Sequence, residues 1–188
     1  RQRLLLPGGA ELAAAASLEA AGLRDGDALT LVVAPQDLVL TASNDCSARL
    51  WSASSGECLQ TFRGHASVLT SAALSPDGSL ALTASRDCTA RLWSVCGGCL
   101  HRLGGHADEV ASACFSPDGA RVLTASADGT AAVWCSARGE RLHELRGHGG
   151  AVRSAVFAPD GAQVLTASAD GAARLWCASG GCCLRALE

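Results

Sequence analysis

The phrase TASADGTAAVW runs from Thr124 to Trp134, and TASADGAARLW runs from Thr166 to Trp176. Two looser copies, TASNDCSARLW from Thr41 to Trp51 and TASRDCTARLW from Thr83 to Trp93, complete a series whose leading Thr and closing Trp both advance by 42, 41 and 42 residues. All four Trp of the 188-residue chain fall in it. A recurrence of this length constrains the fold more than any other feature, because such a unit buries its apolar face only by stacking on its neighbours.

Each complete unit opens on Gly-His, at Gly64-His65, Gly105-His106 and Gly147-His148, and continues through an apolar run, a turn, LTAS, an Asp and ARLW or AVW. The runs Val68–Leu74, Val110–Phe115 and Val152–Phe157 end at SPDG, SPDG and APDG. Proline presets φ while Asp and Gly close the bend, which is hairpin chemistry. The next strands pass through an Asp turn into TARLW, TAAVW and AARLW, and a fourth, outer strand follows in ECLQTF, GCLHRL, ERLHEL and CCLRAL. The expectation is an all-β chain of units with four short strands each.

This pattern resembles the WD-repeat β-propeller over residues 35–188. The resemblance implies about four four-stranded blades, 35–62, 63–103, 104–145 and 146–188, forming a partial or open propeller. It also implies a structural tetrad in each complete blade: His65, Thr83, Asp87 and Trp93; His106, Thr124, Asp128 and Trp134; His148, Thr166, Asp170 and Trp176. Such a set can form one hydrogen-bonded chain from indole N–H to hydroxyl to imidazole to carboxylate. The Asp that the family places after Trp is replaced by Ser52, Ser94, Cys135 and Cys177. The first unit has Thr41, Asp45 and Trp51 but no Gly-His ahead of them, so its network lacks the imidazole. In that unit Pro35 falls about where Pro76 does in the next, and ALTLVVAPQD is the text available for its missing strand. Because closed propellers take about 4 to 8 blades, the expectation is an open arc or strained ring, with further repeats beyond Glu188.

Residues 1–34 read differently. The start at Arg1 suggests a fragment, and RQRLLLPGGAELAAAASLEAAGLRDGDALTLVV resembles the C-terminal half of a ubiquitin-like domain, without its first hairpin, main helix or Gly-Gly tail. The plainer reading of ELAAAASLEAA is an Ala-rich helix of high propensity.

Composition narrows the function. A formal net charge of -3, with 15 basic and 18 acidic residues scattered along the chain, argues against nucleic acid, whose binding needs clustered positive charge. No stretch approaches the ~20 apolar residues of a membrane-spanning helix, and LLL before Pro7 is too short for a signal-peptide core. Ten Cys in a chain large enough to build a core read mostly as small, buried or half-buried residues of a reduced intracellular protein, cytoplasmic or nuclear. CGGC at Cys96–Cys99 has the spacing of a zinc or redox half-site but lacks a second pair at metal spacing.

Each complete unit contains the His, Asp and hydroxyl of a hydrolase triad, yet a catalytic site needs one constellation in one cleft, not three copies each beside a Trp. The reading is therefore a scaffold or adaptor that is no enzyme, needs no cofactor or metal, and binds a protein or peptide. The alternative is a ubiquitin-pathway receptor or substrate adaptor joining the N-terminal segment to a client-binding propeller. Specificity is expected where near-identical units disagree on the loop face: Asn44, Arg63, Arg86, Asp108, Glu109, Arg146 and Arg153. An open arc also leads us to expect that the chain by itself self-associates.

Overall fold

A computed structural model describes residues 32–33 and 37–187, and every regular element among them is a β-strand. The first sheet comprises β1 (Val32–Val33), β2 (Leu38–Ala42), β3 (Ser47–Ser52) and β4 (Cys58–Arg63). The second comprises β5 (Leu69–Leu74), β6 (Leu80–Ser85), β7 (Thr89–Ser94) and β8 (Cys99–Gly104). The third comprises β9 (Val110–Phe115), β10 (Arg121–Ser126), β11 (Ala131–Cys135) and β12 (Arg141–Leu145). The fourth comprises β13 (Val152–Phe157), β14 (Gln163–Ser168), β15 (Ala173–Cys177) and β16 (Cys183–Leu187). Each is an antiparallel meander in chain order.

The ubiquitin-like reading falls on residues outside those described, as does Pro35. The exception is Val32–Val33, which lie on the far side of the expected 34/35 boundary and pair with β2 through Val32↔Leu40 and Val33↔Val39.

The hairpins follow from local chemistry. In the β5–β6 turn the Gly78 amide donates to the Ser75 carbonyl at 2.8 Å, and Gly78 takes φ 72°, a conformation most L residues avoid. The Asp77 carboxylate accepts from the Ser79 amide and closes the same turn. At the outer end of each sheet the register slips beside the Trp, between Leu50 and Trp51, Leu92 and Trp93, Val133 and Trp134, and Leu175 and Trp176. These bulges bend the outer strand around the indole.

Three apolar cores hold four sheets. Leu40, Leu50 and Phe62 of the first sheet pack on Leu69, Ala72 and Trp93 of the second. Leu82, Leu92 and Leu103 of the second pack on Val110, Val122 and Trp134 of the third. Leu123, Val133 and Leu145 of the third pack on Val152, Val164 and Trp176 of the fourth. Each middle sheet buries both faces, which is why β6 and β10 are apolar on successive residues and buried along almost their whole length. The innermost strands are cross-tied: Ser71 Oγ donates to the Ala113 carbonyl and Cys114 Sγ to the Ala155 carbonyl.

The sheets do not close into a ring. The forward face of the fourth sheet is accordingly open: Leu165 and Leu187 are 38% and 47% exposed, whereas their third-sheet counterparts Leu123 and Leu145 are 0% and 1% exposed.

Half of the cysteines depart from the expectation of buried or half-buried positions: Cys46, Cys88, Cys114, Cys135 and Cys177 are half-buried, the others not. None of the ten is fully buried, and Cys58, Cys96, Cys99, Cys182 and Cys183 are exposed. The reason is positional: these five sit in the outer turns or at the first positions of the outermost strands, which are exposed at that end; β4 and β8 become buried only further along, at Phe62 and Leu103.

Candidate protein-binding face

The tetrad residues meet within each complete sheet. Trp93 Nε1 donates to Thr83 Oγ1 at 2.9 Å, that oxygen lies 2.8 Å from His65 Nε2, and His65 Nδ1 lies 2.8 Å from Asp87 Oδ2. The third sheet repeats the chain through Trp134, Thr124, His106 and Asp128 at 2.9, 2.8 and 3.0 Å. The fourth repeats it through Trp176, Thr166, His148 and Asp170 at 2.8, 2.7 and 2.9 Å. A neutral imidazole protonated on Nδ1 satisfies every member, because the Thr hydroxyl receives the indole proton and gives its own to Nε2. Burial holds the His65 pKa below its ordinary value, against the opposing pull of Asp87.

The first sheet keeps only the inner link, Trp51 Nε1 to Thr41 Oγ1 at 2.9 Å. Its Asp45 turns to Ser47 and to Arg49, whose Nη2 lies 3.0 Å away.

Each tetrad Asp also fastens two stretches of backbone. Asp87 accepts from the amides of Ala66 and Thr89, Asp128 from those of Ala107 and Thr130, and Asp170 from those of Gly149 and Ala172. Burial pushes Asp87 and Asp128 upward. The bonds from Thr89, the Ala66 amide and His65, and from Thr130, the Ala107 amide and His106, outweigh it and bring both carboxyls to about 2. Asp170 is held well below the usual range by the Ala172 and Gly149 amides.

The Gly of Gly-His is required by conformation and by space. Gly64 has φ 149° and a Cβ there would come within 2.8 Å of the Arg91 guanidinium, with the Trp93 ring at 3.4 Å.

The Ser of TAS is a contributor that the four-residue motif leaves out. Ser85 Oγ donates to the Ser67 carbonyl at 3.0 Å, Ser126 Oγ to the Asp108 and Glu109 carbonyls, and Ser168 Oγ to the Gly150 carbonyl at 2.9 Å. Its signal was present in the sequence: Ser recurs in all four copies of the phrase.

All these loops lie at one end of the sheets, because the β6–β7, β10–β11 and β14–β15 turns and the starts of β5, β9 and β13 share that end in an antiparallel meander. Of the residues singled out for this face, the structure joins three. Arg86 Nε lies 3.0 Å from Glu109 Oε2 and Arg153 Nη1 lies 3.9 Å from Glu109 Oε1, so one carboxylate spans the second, third and fourth sheets. The Asp108 carboxylate accepts from the Glu109 amide at 2.7 Å. Arg146 is drawn toward the outer strand β12, where its Nη2 lies 2.9 Å from Glu144. Arg63 is exposed at the end of β4, and Asn44 is exposed in the β2–β3 turn.

Among the described residues no three His, Cys, Asp or Glu side chains are grouped so as to hold a metal ion. The family model described as "WD domain, G-beta repeat" matches residues 56–94, 97–135 and 139–177. Each match begins at or just before the outer strand of one sheet and ends at the Trp strand of the next. No curated protein matches the chain.

Proposed function

The chain belongs to the WD domain, G-beta repeat family, and from that premise we propose that it is a non-catalytic scaffold or adaptor whose loop face grips a protein or peptide partner. The observation that carries this reading is the Arg86–Glu109–Arg153 strip. It lies where the repeats diverge: Glu109 takes the place of Val68 and Ala151 in the neighbouring units. Two guanidiniums, 60% and 63% exposed along their side chains, flank one carboxylate, an arrangement that favours a segment with acidic groups.

The triad-like residues support binding rather than catalysis. Thr83, Thr124 and Thr166 are 0% exposed, and each hydroxyl is held between an indole and an imidazole, so it has no path to a substrate. Selection of a displayed peptide library on the chain tests the reading. The expected binders are acidic and are lost with Arg86→Glu or Arg153→Glu but retained with Asp77→Asn at the opposite end; binders indifferent to both Arg changes would sink it.

We further infer that a second copy covers the open face of the fourth sheet. Leu165 and Leu187 present there the same apolar surface that Leu123 and Leu145 bury against a neighbour, and exposed faces of this kind associate. Sedimentation should show dimers or larger species that Leu165→Arg returns to monomers.

The ubiquitin-pathway adaptor remains the second reading, motivated by GLRDGDALTLVV before the first sheet. It requires that the chain bind a proteasome or ligase component and that deletion of residues 1–31 abolish that binding. An intracellular setting, cytoplasmic or nuclear, accords with exposed, unpaired cysteines.

A further inference from the structure

The outer turns of the first, third and fourth sheets offer a comparison that isolates one pair of side chains. The amide of the residue after Trp donates to a carbonyl across the turn: Ser52 to Glu57, Cys135 to Glu140 and Cys177 to Cys182. A Gly at the next-to-last position donates back, Gly56 to Ser52, Gly139 to Cys135 and Gly181 to Cys177. The same six-residue turn therefore folds with Ser and Glu, with Cys and Glu, or with Cys and Cys, so the fold itself has no need of sulfur at either end.

Cys177 and Cys182 thus share one of the two bonds of a regular hydrogen-bonded pair, whose members face the same side of the sheet with Cα atoms about 5.5 Å apart, inside the range a disulfide spans. The side chains agree. A Cβ built on Gly180 would lie 3.6 Å from the Cys177 sulfur and 3.9 Å from the Cys182 sulfur, so the two thiols converge on one point above the turn. Cys177 is partly exposed and Cys182 exposed, and the strand that follows, β16, is exposed along its length.

We propose that Cys177 and Cys182 form a reversible thiol–disulfide site for low-molecular-weight disulfides such as glutathione disulfide. Hydrogen bonds from the Ser179 hydroxyl and the Gly180 amide, with a smaller contribution from the Cys182 thiol, hold Cys177 below the ordinary thiol range, which marks it as the attacking group. The Cys177 thiolate attacks one sulfur of glutathione disulfide, breaks its S–S bond and releases one glutathione thiolate. The Cys182 thiolate then attacks the Cys177 sulfur of the mixed disulfide, forms the Cys177–Cys182 bond and releases the second glutathione. Two electrons pass to glutathione disulfide, and the two thiol protons end on the two glutathione molecules. A bridge across a tight, exposed turn belongs to the readily reduced class of disulfides, so excess glutathione reverses both steps. Its product pins the start of the outermost strand of the one sheet whose forward face is open.

The test incubates the 188-residue chain with graded ratios of glutathione disulfide to glutathione, blocks the remaining thiols and cleaves after Arg. Cleavage after Arg174 and Arg185 places Cys177, Cys182 and Cys183 on one peptide, and fragmentation locates the bond. The Cys177–Cys182 link is expected at oxidant ratios at least about tenfold lower than glutathionylation of the exposed Cys58 or Cys96, and to revert with excess glutathione. Cys183→Ser should leave it in place, and Cys182→Ser should stop the reaction at a mixed disulfide on Cys177. Separate mixed disulfides on Cys177 and Cys182 in the parent chain, or a bond between Cys182 and Cys183 instead, would overturn the proposal. Far-ultraviolet circular dichroism establishes that both variants are folded before either result is read.

Discussion

The third and fourth sheets share almost the same text, TASADGTAAVW against TASADGAARLW, yet one is a buried layer and the other a half-exposed one. β10 is buried at five successive positions, while β14 alternates buried and exposed. Their hydrogen-bonded chains from Trp to Asp are alike to within 0.1 Å at each link. The difference teaches that two kinds of stability coexist in one repeat. The polar chain belongs to the sheet that carries it, whereas the apolar contribution of the forward face is conferred by whatever stands next to it.

The most severe test of that division is to delete the same methyl groups in both sheets. Leu123→Ala should cost about 2–5 kcal/mol, as for buried leucines generally, whereas Leu165→Ala should cost less than about 1 kcal/mol. Urea unfolding of the two variants at a concentration where the chain is monomeric measures the gap. Equal losses would mean that the fourth sheet is covered in solution or that the third is not.

The polar chain should behave oppositely. Thr124→Val and Thr166→Val each strand a buried indole N–H and an imidazole nitrogen, and each should cost about 1–3 kcal/mol. Thermal melting of the two variants should therefore show matching decreases, and a loss confined to the third sheet would break the idea that the network is the sheet's own. A pH series sharpens it. Asp87 and Asp128 have folded pKa values of about 2 against an ordinary 3.8, so their contribution is complete above the ordinary value and disappears as pH falls through the folded one. The stability difference between the parent and Asp128→Ala should accordingly shrink on acidification below the ordinary carboxylate value, and a difference that grew instead would refute the assignment.

A smaller effect distinguishes the second sheet from the two after it. Following the tetrad Asp, the third and fourth sheets place Gly129 and Gly171 at φ 84° and 88°, but the second places Cys88 at φ 65°. Relief of left-handed strain outweighs the added chain entropy, so Cys88→Gly should stabilise by about 0.5 kcal/mol, while Gly129→Ala should destabilise. Chemical denaturation of the two variants checks the sign. Smallest of all is Glu109→Gln, which removes the ion pairs between sheets and should change stability by no more than about 0.5 kcal/mol.

The periodic text made most of this architecture legible. Turn residues recur at fixed offsets, so SPDG and the Asp turn locate the hairpins around β6, β7, β10 and β11, and the apolar run Val110–Phe115 coincides with β9. The tetrad partners could be named because a motif of His, Thr, Asp and Trp repeats at constant spacing. Other features were not visible, for identifiable reasons. The exposure of Cys58 or Cys182 depends on how near each lies to the exposed start of an outermost strand, and a residue's own identity does not report that. Arg86, Glu109 and Arg153 stand far apart in sequence, and only the fan of sheets brings them together; Arg146, equally prominent in the text, turns instead to Glu144. The role of the Ser of TAS is not legible in the text because its partner is a backbone carbonyl, which leaves no complementary side chain in the sequence.

The double grip of each tetrad carboxylate has a consequence for association. Asp128 holds the segment entering β9 through the Ala107 amide at 2.9 Å and the turn beyond β10 through the Thr130 amide at 2.9 Å. A partner landing on this end of the molecule thus meets loops whose φ and ψ are already fixed by bonds to the sheet beneath. Little conformational entropy is left to be lost there on binding, and side-chain rotamers supply most of what remains. Docking should then proceed close to rigid body, with affinity differences between partners expressed mainly in how slowly they leave.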